Sequence, residues 1–352
     1  MRRMNNVTLG GVGIEIVRGC NFACRMCPST KAIGPHMSYM SLDTAQMIVE
    51  RFNECDSVAA IWPFGMGEPL AHPEYYRLTE CLHKIKRSSD TPVILHTNAS
   101  LLKGEAAYAL LDIPFVTQLN ISFDGYGDAA SFAYLRGNHF REVVDNVRNF
   151  VLMARRKRPG LYIATCSIYP DKEFMREDIP VPAKNQAEAA LKAIFEPMGV
   201  HVGMRELHHY NGFYTPEIYE NILEHHHKVL GGCGYIENNS FQIAWDGRVR
   251  PCCDVVNEDF VIGNLNKERF DGIVNGERYL SLRHQLRLDR RSTFPACKNC
   301  DKCSFGDDYE GMKAYWIKKL ENGEVTDAEE KAYIQSICGL NDDILSQKCS
   351  MN

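Results

Sequence analysis

Apolar runs of strand length alternate with amphipathic helical segments through the first two thirds of the chain. The runs "GIEIV", "SVAAIWPFG", "PVILHTN", "PFVTQLNISFDG", "LYIATCSIY" and "VHVGMREL" predict six strands. Segments between them, such as "FREVVDNVRNFVLMARRK", place apolar residues at three- and four-residue spacing, which is typical of helices that bury one face. This alternation predicts an α/β fold of parallel strands joined by right-handed crossovers. A closed barrel needs eight units, so six predict a partial (βα)6 barrel.

The pattern changes after about Gly231, where the chain becomes rich in loops and cysteines. "SFQIAWDGRVRPCC" predicts a hairpin that turns at Asp246-Gly247. Two helical segments follow Asp307, and Thr326 is the predicted N-cap of the second. We therefore predict three regions: a partial, TIM-like barrel core at residues 1–215, a cysteine-rich domain at 216–310 and a helical tail at 311–352.

Fourteen cysteines in 352 residues, with a net charge of -5, narrow the class of protein. The N-terminal residues lack the apolar segment of a signal peptide, and no apolar run reaches membrane-spanning length. We therefore expect a cytoplasmic protein whose partners are neither membranes nor nucleic acids. In that compartment clustered cysteines indicate metal binding or redox chemistry rather than disulfides.

Three cysteines follow the first predicted strand as Cys20-x3-Cys24-x2-Cys27. Ligands bind at the carboxyl ends of parallel strands, and thiolates are soft ligands that suit iron–sulfur clusters. A structural zinc site or a cubane cluster held entirely by protein uses four ligands. Three thiolates on a four-iron cluster leave one iron available to another ligand. A zinc site completed by a distant residue is the alternative.

This spacing in this position resembles the radical S-adenosylmethionine (SAM) superfamily, over roughly residues 13 to 206. The resemblance implies that SAM chelates the open iron of a [4Fe–4S] cluster. It also implies that the reduced cluster cleaves SAM to a 5′-deoxyadenosyl radical, which takes a hydrogen atom from substrate. Met26 stands where the family usually has an aromatic residue whose backbone lies near the adenine.

Segments at the ends of the next three strands resemble further SAM-binding motifs of the family. Met66 occupies one glycine position in "GMGEP", and Ala99 replaces the glycine that follows "HTN". "SFDG" ends the fourth strand, and "YLRG" supplies an arginine whose fork suits a carboxylate. A strand-to-helix turn and a solvated surface arginine are the alternatives for the first and last of these. The residues that the resemblance assigns to SAM are Met26, Gly65, Gly67, Glu68, Thr97, Asn98, Ser122, Asp124 and Arg136.

A second cysteine set resembles the SPASM and twitch extensions of radical SAM enzymes. Cys233, Cys252 in Gly-x4-Cys, and the pair Cys297-x2-Cys300 make four ligands for an auxiliary [4Fe–4S] cluster. Cys303 follows the pair too closely for the full SPASM pattern, which favours the shorter twitch form. Zinc is one alternative. Another is a second auxiliary cluster on Cys297, Cys300, Cys303 and Cys338, with Cys253 as a replacement ligand in the first.

An auxiliary cluster held by four thiolates suits electron transfer, so we expect a two-electron oxidation in which that cluster accepts an electron. The family chemistry implies an external reductant such as flavodoxin or ferredoxin. A non-catalytic electron carrier would not need the three-ligand site. The candidate catalytic or substrate-binding residues are Glu15, Cys166, Arg205, His208 and Tyr210. The alternatives are a solvent-facing carboxylate for Glu15, a buried structural thiol for Cys166 and a polar linker between domains for the last three.

Two substrate classes compete. One is a small polar metabolite, namely a sugar, aminocyclitol or amino acid in natural-product biosynthesis. The other is a peptide or protein side chain, as in SPASM-type maturases. The chain begins within about a dozen residues of the first strand, which leaves no room for a preceding peptide-recognition domain. We therefore expect the small molecule.

Overall fold

The computed structural model describes residues 7–33, 35–170, 172–206, 232–253, 260–298, 300 and 309–340. The chain divides into two compact units. The first contains Met1–His208 and Phe241–Ile273, and the second contains His209–Ser240 and Val274–Asn352.

The described strands are β1 (Thr8–Ile14), β2 (Val17–Arg18), β3 (Ser38–Tyr39), β4 (Ser57–Trp62), β5 (Ile94–Thr97), β6 (Gln118–Ile121), β7 (Tyr162–Tyr169), β8 (His201–Glu206), β9 (Phe241–Ile243), β10 (Arg248–Arg250) and β11 (Gly263–Asn264). The described helices are α1 (Pro28–Ala32), α2 (Leu42–Phe52), α3 (Tyr75–Leu82), α4 (Gly104–Asp112), α5 (Ala129–Arg136), α6 (Phe140–Lys157), α7 (Lys184–Phe195), α8 (Gly234–Glu237), α9 (Phe270–Val274), α10 (Glu277–Arg287), α11 (Pro295–Lys298), α12 (Tyr309–Glu321) and α13 (Ala328–Ile337). Within these residues, none of the helices is both long and apolar enough to cross a bilayer.

The first unit contains the predicted parallel strands. β1 pairs with β4 in parallel, and a parallel bridge between Ile61 and Val93 leads from β4 towards β5. β5, β6, β7 and β8 then pair in parallel in that order. The predicted α/β fold is confirmed, and the strand order is that of a partial (βα)6 barrel.

Each strand of the sheet has one face towards the inside of the barrel and one face that helices cover. In β6, Leu119 and Ile121 are buried beneath the helices, while Gln118 and Asn120 point to the other face. Phe123, directly after β6, lies in an aromatic core with ring centroids 4.6 Å from Phe132 and 4.9 Å from Phe195. The helix-facing side chains therefore form the core, and the inner face carries the polar groups.

A hairpin from the cysteine-rich region adds to the barrel sheet. β9 and β10 are antiparallel, as predicted, and Gly247 takes the left-handed backbone conformation in their turn, at φ 84°. β9 also pairs with β1 in parallel, so that Val12 lies opposite Phe241. The compact units therefore do not divide at residue 215 as the predicted regions do. Local sequence patterns cannot reveal a pairing between strands that lie so far apart in the chain.

The second unit holds the described part of the helical tail. Met312, Trp316, Val325, Ile334 and Cys338 form its buried cluster. The tail is helical at α12 and α13, as predicted. Thr326, however, is not the N-cap of α13, because the neighbouring Asp327 accepts the Glu330 amide proton at 3.0 Å.

Candidate active site

The three-cysteine loop follows β2 in the first unit. Cys24 is buried, and Cys20 and Cys27 are partly buried. The Cys27 amide donates to the Cys24 carbonyl at 3.1 Å, and Cys27 is the N-cap residue of α1. The Arg25 amide donates to the Leu135 carbonyl of α5 at 2.8 Å. The loop is thus fixed by its own turn and by a neighbouring helix.

The surroundings of these thiols fit an iron–sulfur cluster. Burial raises the pKa of Cys20 to about 12 and that of Cys24 to about 11, and it also raises the pKa of Cys27. A cysteine that binds iron does so as the thiolate. Because burial disfavours three adjacent thiolates, a cationic metal centre is what would make them stable here.

Glu68 joins the ends of β4 and β5 behind the loop. Its carboxylate accepts the Thr97 hydroxyl proton at 2.6 Å, the Asn98 amide proton at 2.7 Å and the Leu70 amide proton at 3.1 Å. Complete burial raises the pKa of Glu68, against the opposing effect of these hydrogen bonds. Glu68 and Thr97, both predicted SAM-site residues, therefore bind each other and set the rim geometry.

The "GMGEP" segment needs its two glycines for close backbone approach. A Cβ on Gly67 would lie 2.4 Å from the carbonyl oxygens of Val17 and Gly19, and one on Gly65 would lie 2.6 Å from the Glu15 Cβ. Gly19 and Gly67 form a parallel bridge. The segment is therefore held directly against the cysteine loop.

Methionines occupy two of the three positions where this sequence differs from the family pattern. The Met66 carbonyl accepts from the Gly19 amide at 3.1 Å and from the Ser29 hydroxyl at 2.7 Å. Met26, predicted to lie near the adenine, is buried in the cysteine loop.

Asn98 connects the end of β5 to the cysteine loop. Its Nδ2 donates to Asn21 Oδ1 at 2.9 Å and lies 3.6 Å from Cys20 Sγ, while its Oδ1 accepts from the Ser100 hydroxyl at 2.7 Å. Asn21 and Ser100 were not predicted, although both lie beside predicted motifs. Ala99 has φ 60°, the left-handed conformation in which the family has glycine.

Asp124 and Arg136, each predicted to contact SAM, form a buried ion pair. The Asp124 carboxylate also accepts from the Ile168 amide at 2.7 Å. Arg136 lies near Cys24, and its charge lowers the pKa of that thiol against the larger effect of burial. Among the described residues, Arg136 Nε is buried and has no hydrogen-bond partner. Part of this guanidinium is therefore available to a ligand beside the cysteine loop.

The inner face of β5 to β8 carries a row of polar side chains. Gln118 Nε2 donates to Asn120 Oδ1 at 2.9 Å, and Asn120 Nδ2 lies 2.9 Å from His96 Nε2. Burial lowers the pKa of His96 to about 4, assisted by the positive charge of Arg205. The imidazole is therefore neutral at physiological pH and accepts the Asn120 proton on Nε2.

A cleft of about 300 Å³ runs along this row. Cys166 and Arg205, both candidate catalytic or substrate-binding residues, contribute to its lining together with Gln118 and Asn120. Ile121 lies opposite Thr165 in the sheet, so Ser122 and Cys166 stand at the same level on the inner face. The cleft thus reaches the level of a predicted SAM residue.

Glu15 is completely buried and has three partners. Its carboxylate pairs with Arg18 at 3.3 Å and with Arg250 at 2.7 Å, and it accepts the Met66 amide proton at 2.9 Å. Glu15 therefore joins the hairpin to the "GMGEP" segment. Arg250 was not predicted, because nothing local to β10 distinguishes it from a surface arginine.

Cys233 and Cys297 of the second cysteine set lie in the second unit. Burial raises the pKa of Cys233, raises that of Cys297 to about 11, and the Arg291 charge opposes both shifts. The Cys300 amide donates to the Cys297 carbonyl at 3.2 Å. These buried thiols fit a metal centre for the same reason as those of the first loop.

The remaining predicted site residues lie elsewhere. Cys252 and Cys253 follow β10 in the first unit and are partly buried. Cys338 is buried in the apolar cluster around Trp316. His208, Tyr210 and Cys303 lie outside the residues that the structure describes.

Two family models match this chain. The radical SAM superfamily model matches residues 14–171, and the SPASM model, an iron–sulfur cluster-binding domain, matches residues 233–304. The chain therefore belongs to the radical SAM superfamily of enzymes and carries a C-terminal SPASM domain. Its cofactors are SAM, the [4Fe–4S] cluster that binds SAM, and an auxiliary iron–sulfur cluster in the SPASM domain.

Solved structures with the same fold include BtrN in complex with AdoMet and 2-DOIA. It is 16% identical, with a TM-score of 0.54 over 86% of this chain and 97% of that one. SuiB of Streptococcus suis bound to precursor peptide SuiA is 13% identical, with a TM-score of 0.57 over 96% and 77%. Hexahistidine-tagged anSMEcpe with bound AdoMet is 15% identical, with a TM-score of 0.55 over 90% and 98%. At these sequence identities, the similarity shows a shared fold and nothing further.

Proposed function

We propose that this enzyme abstracts a hydrogen atom from a small polar metabolite and completes a two-electron oxidation. A sugar, aminocyclitol or amino acid of natural-product biosynthesis is the substrate class. When bound, the cluster and SAM supply the 5′-deoxyadenosyl radical that takes the hydrogen atom. The single observation that carries the substrate class is the cleft on the inner face of β6 to β8, whose lining includes the polar side chains of Gln118, Asn120 and Arg205.

The size and chemistry of the cleft support a small polar substrate. Its volume of about 300 Å³ suits a compact metabolite. Gln118 and Asn120, which line the cleft, carry neutral amide groups that suit hydroxyl, carbonyl and amide groups. Cys166 lies at the level of Ser122. Among the residues of this face, we assign Cys166 as the one closest to the hydrogen atom that is transferred.

The cysteine loop and the rim residues would hold the cofactors. Cys20, Cys24 and Cys27 would ligate the cluster. The unpartnered Nε of buried Arg136 supports an assignment of this guanidinium to the SAM carboxylate, with Asp124 fixing its orientation. Glu68, Asn98 and Thr97 would affect SAM binding indirectly, because their hydrogen bonds fix the backbone at the ends of β4 and β5.

One auxiliary cluster on Cys233, Cys252, Cys297 and Cys300 would accept the electron that the substrate radical releases. The burial of Cys338 among apolar side chains supports one auxiliary cluster rather than two. An external protein such as flavodoxin or ferredoxin would reduce the SAM-binding cluster.

Peptide maturation is the second candidate function. Of the solved relatives, SuiB was bound to a precursor peptide, whereas BtrN was bound to AdoMet and 2-DOIA. A small metabolite and a peptide must enter the cleft differently. The class of compound that stimulates formation of 5′-deoxyadenosine therefore distinguishes the two candidate functions.

The test is anaerobic reconstitution followed by iron counting and product analysis. We expect about eight iron atoms per chain, and about twelve would indicate a second auxiliary cluster. Reduced protein with SAM should form 5′-deoxyadenosine, and Cys24→Ala should not. Cys81→Ala, which changes a thiol that contacts Gln46, is the matched control and should retain activity. Stoichiometric zinc, or activity in Cys24→Ala, would contradict the cluster assignment.

Deuterated candidates then test the substrate class. A small polar substrate should transfer deuterium to 5′-deoxyadenosine, and Asn120→Ala should raise its KM because a cleft hydrogen bond is lost. Transfer from a peptide substrate, with none from small metabolites, would favour the second candidate function.

A further inference from the structure

Arg291 connects the two cysteine-bearing segments of the second unit. It begins a short turn before α11, where the Phe294 amide donates to its carbonyl at 3.0 Å and the Cys297 amide donates to the Phe294 carbonyl at 2.8 Å. Its side chain crosses to the other segment and donates through Nη2 to the carbonyl of Gly232, which directly precedes Cys233. The backbone of Arg291 thus supports the segment of Cys297, and its side chain supports the segment of Cys233.

The guanidinium of Arg291 lies beside both cysteine-bearing segments, because Nη2 is bonded to the carbonyl that precedes Cys233 and the Arg291 backbone turn leads into Cys297. The carboxylate of Glu237, four residues after Cys233, is paired with Arg287 at 2.7 Å. In the described part of the chain, Arg291 has no carboxylate partner, and its Nε is buried without a hydrogen bond. Its guanidinium is therefore fixed by the Gly232 carbonyl next to Cys233.

Building on the auxiliary ligands proposed above, we propose that Arg291 is a positioning residue that holds a fixed positive charge beside the auxiliary cluster and raises its reduction potential. Net charge, hydrogen bonds and solvent exposure near the sulfurs set the potential of an iron–sulfur cluster. A guanidinium keeps its charge throughout the physiological pH range. The charge favours the reduced cluster, and it therefore promotes transfer of the electron from the substrate radical to that cluster.

The test is a redox titration followed by electron paramagnetic resonance. The full chain carries Cys20→Ala, Cys24→Ala and Cys27→Ala, so that only auxiliary iron remains. Arg291→Gln removes the charge and Arg291→Lys keeps it. Arg290→Gln is the matched control, because it removes the same charge from the adjacent residue, whose exposed side chain pairs with Glu329.

We expect a more negative midpoint potential in Arg291→Gln, with potentials close to that of the parent in Arg291→Lys and Arg290→Gln. An unchanged potential in Arg291→Gln at full iron content would overturn the proposal, as would an equal shift in Arg290→Gln. Iron loss in Arg291→Gln that Arg291→Lys restores supports a role for the charge, whereas iron loss in both overturns it. A parent chain without iron would instead overturn the ligand assignment on which the proposal rests.

Discussion

Arg250 Nη2 lies 2.7 Å from Glu15 Oε2, and both side chains are almost completely buried. Glu15 also pairs with Arg18 and accepts the Met66 amide proton, so one carboxylate serves two guanidinium groups and the backbone of the SAM-site rim. The arrangement is a buried ion-pair network, and removal of one member of such a network is strongly destabilising.

Glu15→Gln should destabilise the protein strongly. The substitution keeps the shape but removes the negative charge that pairs with two buried guanidinium groups, at a cost of about 3–5 kcal/mol. Urea unfolding of the iron-free chain under reducing conditions measures this free energy. Glu142→Gln, which removes an exposed carboxylate paired with Lys103, should cost less than about 1 kcal/mol. Equal losses in the two variants would contradict the network.

Gly67→Ala should damage the rim. The added Cβ would meet the carbonyl oxygens of Val17 and Gly19 at 2.4 Å, so the backbone must move and the bridge to the cysteine loop must open. We expect a loss of about 1–3 kcal/mol in stability together with weaker SAM binding, measured by unfolding and by calorimetric titration. Gly160→Ala is the control, because a Cβ at Gly160 would meet no atom within 4 Å. Wild-type SAM affinity in Gly67→Ala would show that the close approach is not required.

His96→Gln should change how stability depends on pH. Burial lowers the pKa of His96 to about 4, below the value of about 6.5 expected in the unfolded chain. The unfolded state therefore binds more protons between these values. The contribution of His96 to stability is complete above about pH 6.5 and is lost as the pH falls towards 4.

From pH 7 to pH 5, His96→Gln should lose about 2 kcal/mol less stability than the wild type. Urea unfolding of the iron-free chain at the two pH values provides the comparison. Parallel behaviour of His96→Gln and the wild type would mean that the imidazole is not held neutral.

Cys338→Ala should leave the iron content unchanged. Cys338 is completely buried beside Trp316 and Ile334, so the lost sulfur leaves a small cavity that costs about 1 kcal/mol. Cys297→Ala should instead lose about four iron atoms per chain. Loss of iron in Cys338→Ala would identify Cys338 as a ligand and favour a second auxiliary cluster.

The radical SAM fold and the cysteine loop could be predicted because local chemistry dictates the residues there. The alternation of strands and helices indicates parallel pairing, and three closely spaced cysteines after the first strand resemble the cluster-binding loop of the radical SAM superfamily. Gly67 is glycine because two carbonyl oxygens occupy the space of a side chain. Such requirements depend on a few adjacent residues and can therefore be recognised in a sequence.

Contacts between distant segments could not be predicted. Arg136 and Asp124 each suit a ligand, and only the orientation of α5 brings them together. Arg250 contacts Glu15 because β9 joins the edge of β1, which no local pattern encodes. Asp327 rather than Thr326 is the N-cap because the loop before α13 ends at Asp327. The sequence determines such a boundary only to within one or two residues.

The parallel pairing of β9 with β1 also bears on synthesis of the chain. The outer edge of β1 leaves the ribosome long before its partner, Phe241–Ile243. Until those residues emerge, an apolar strand edge stays open to other chains. Loop closure over such a separation is slow, so the late hairpin determines when the nascent barrel becomes protected from aggregation.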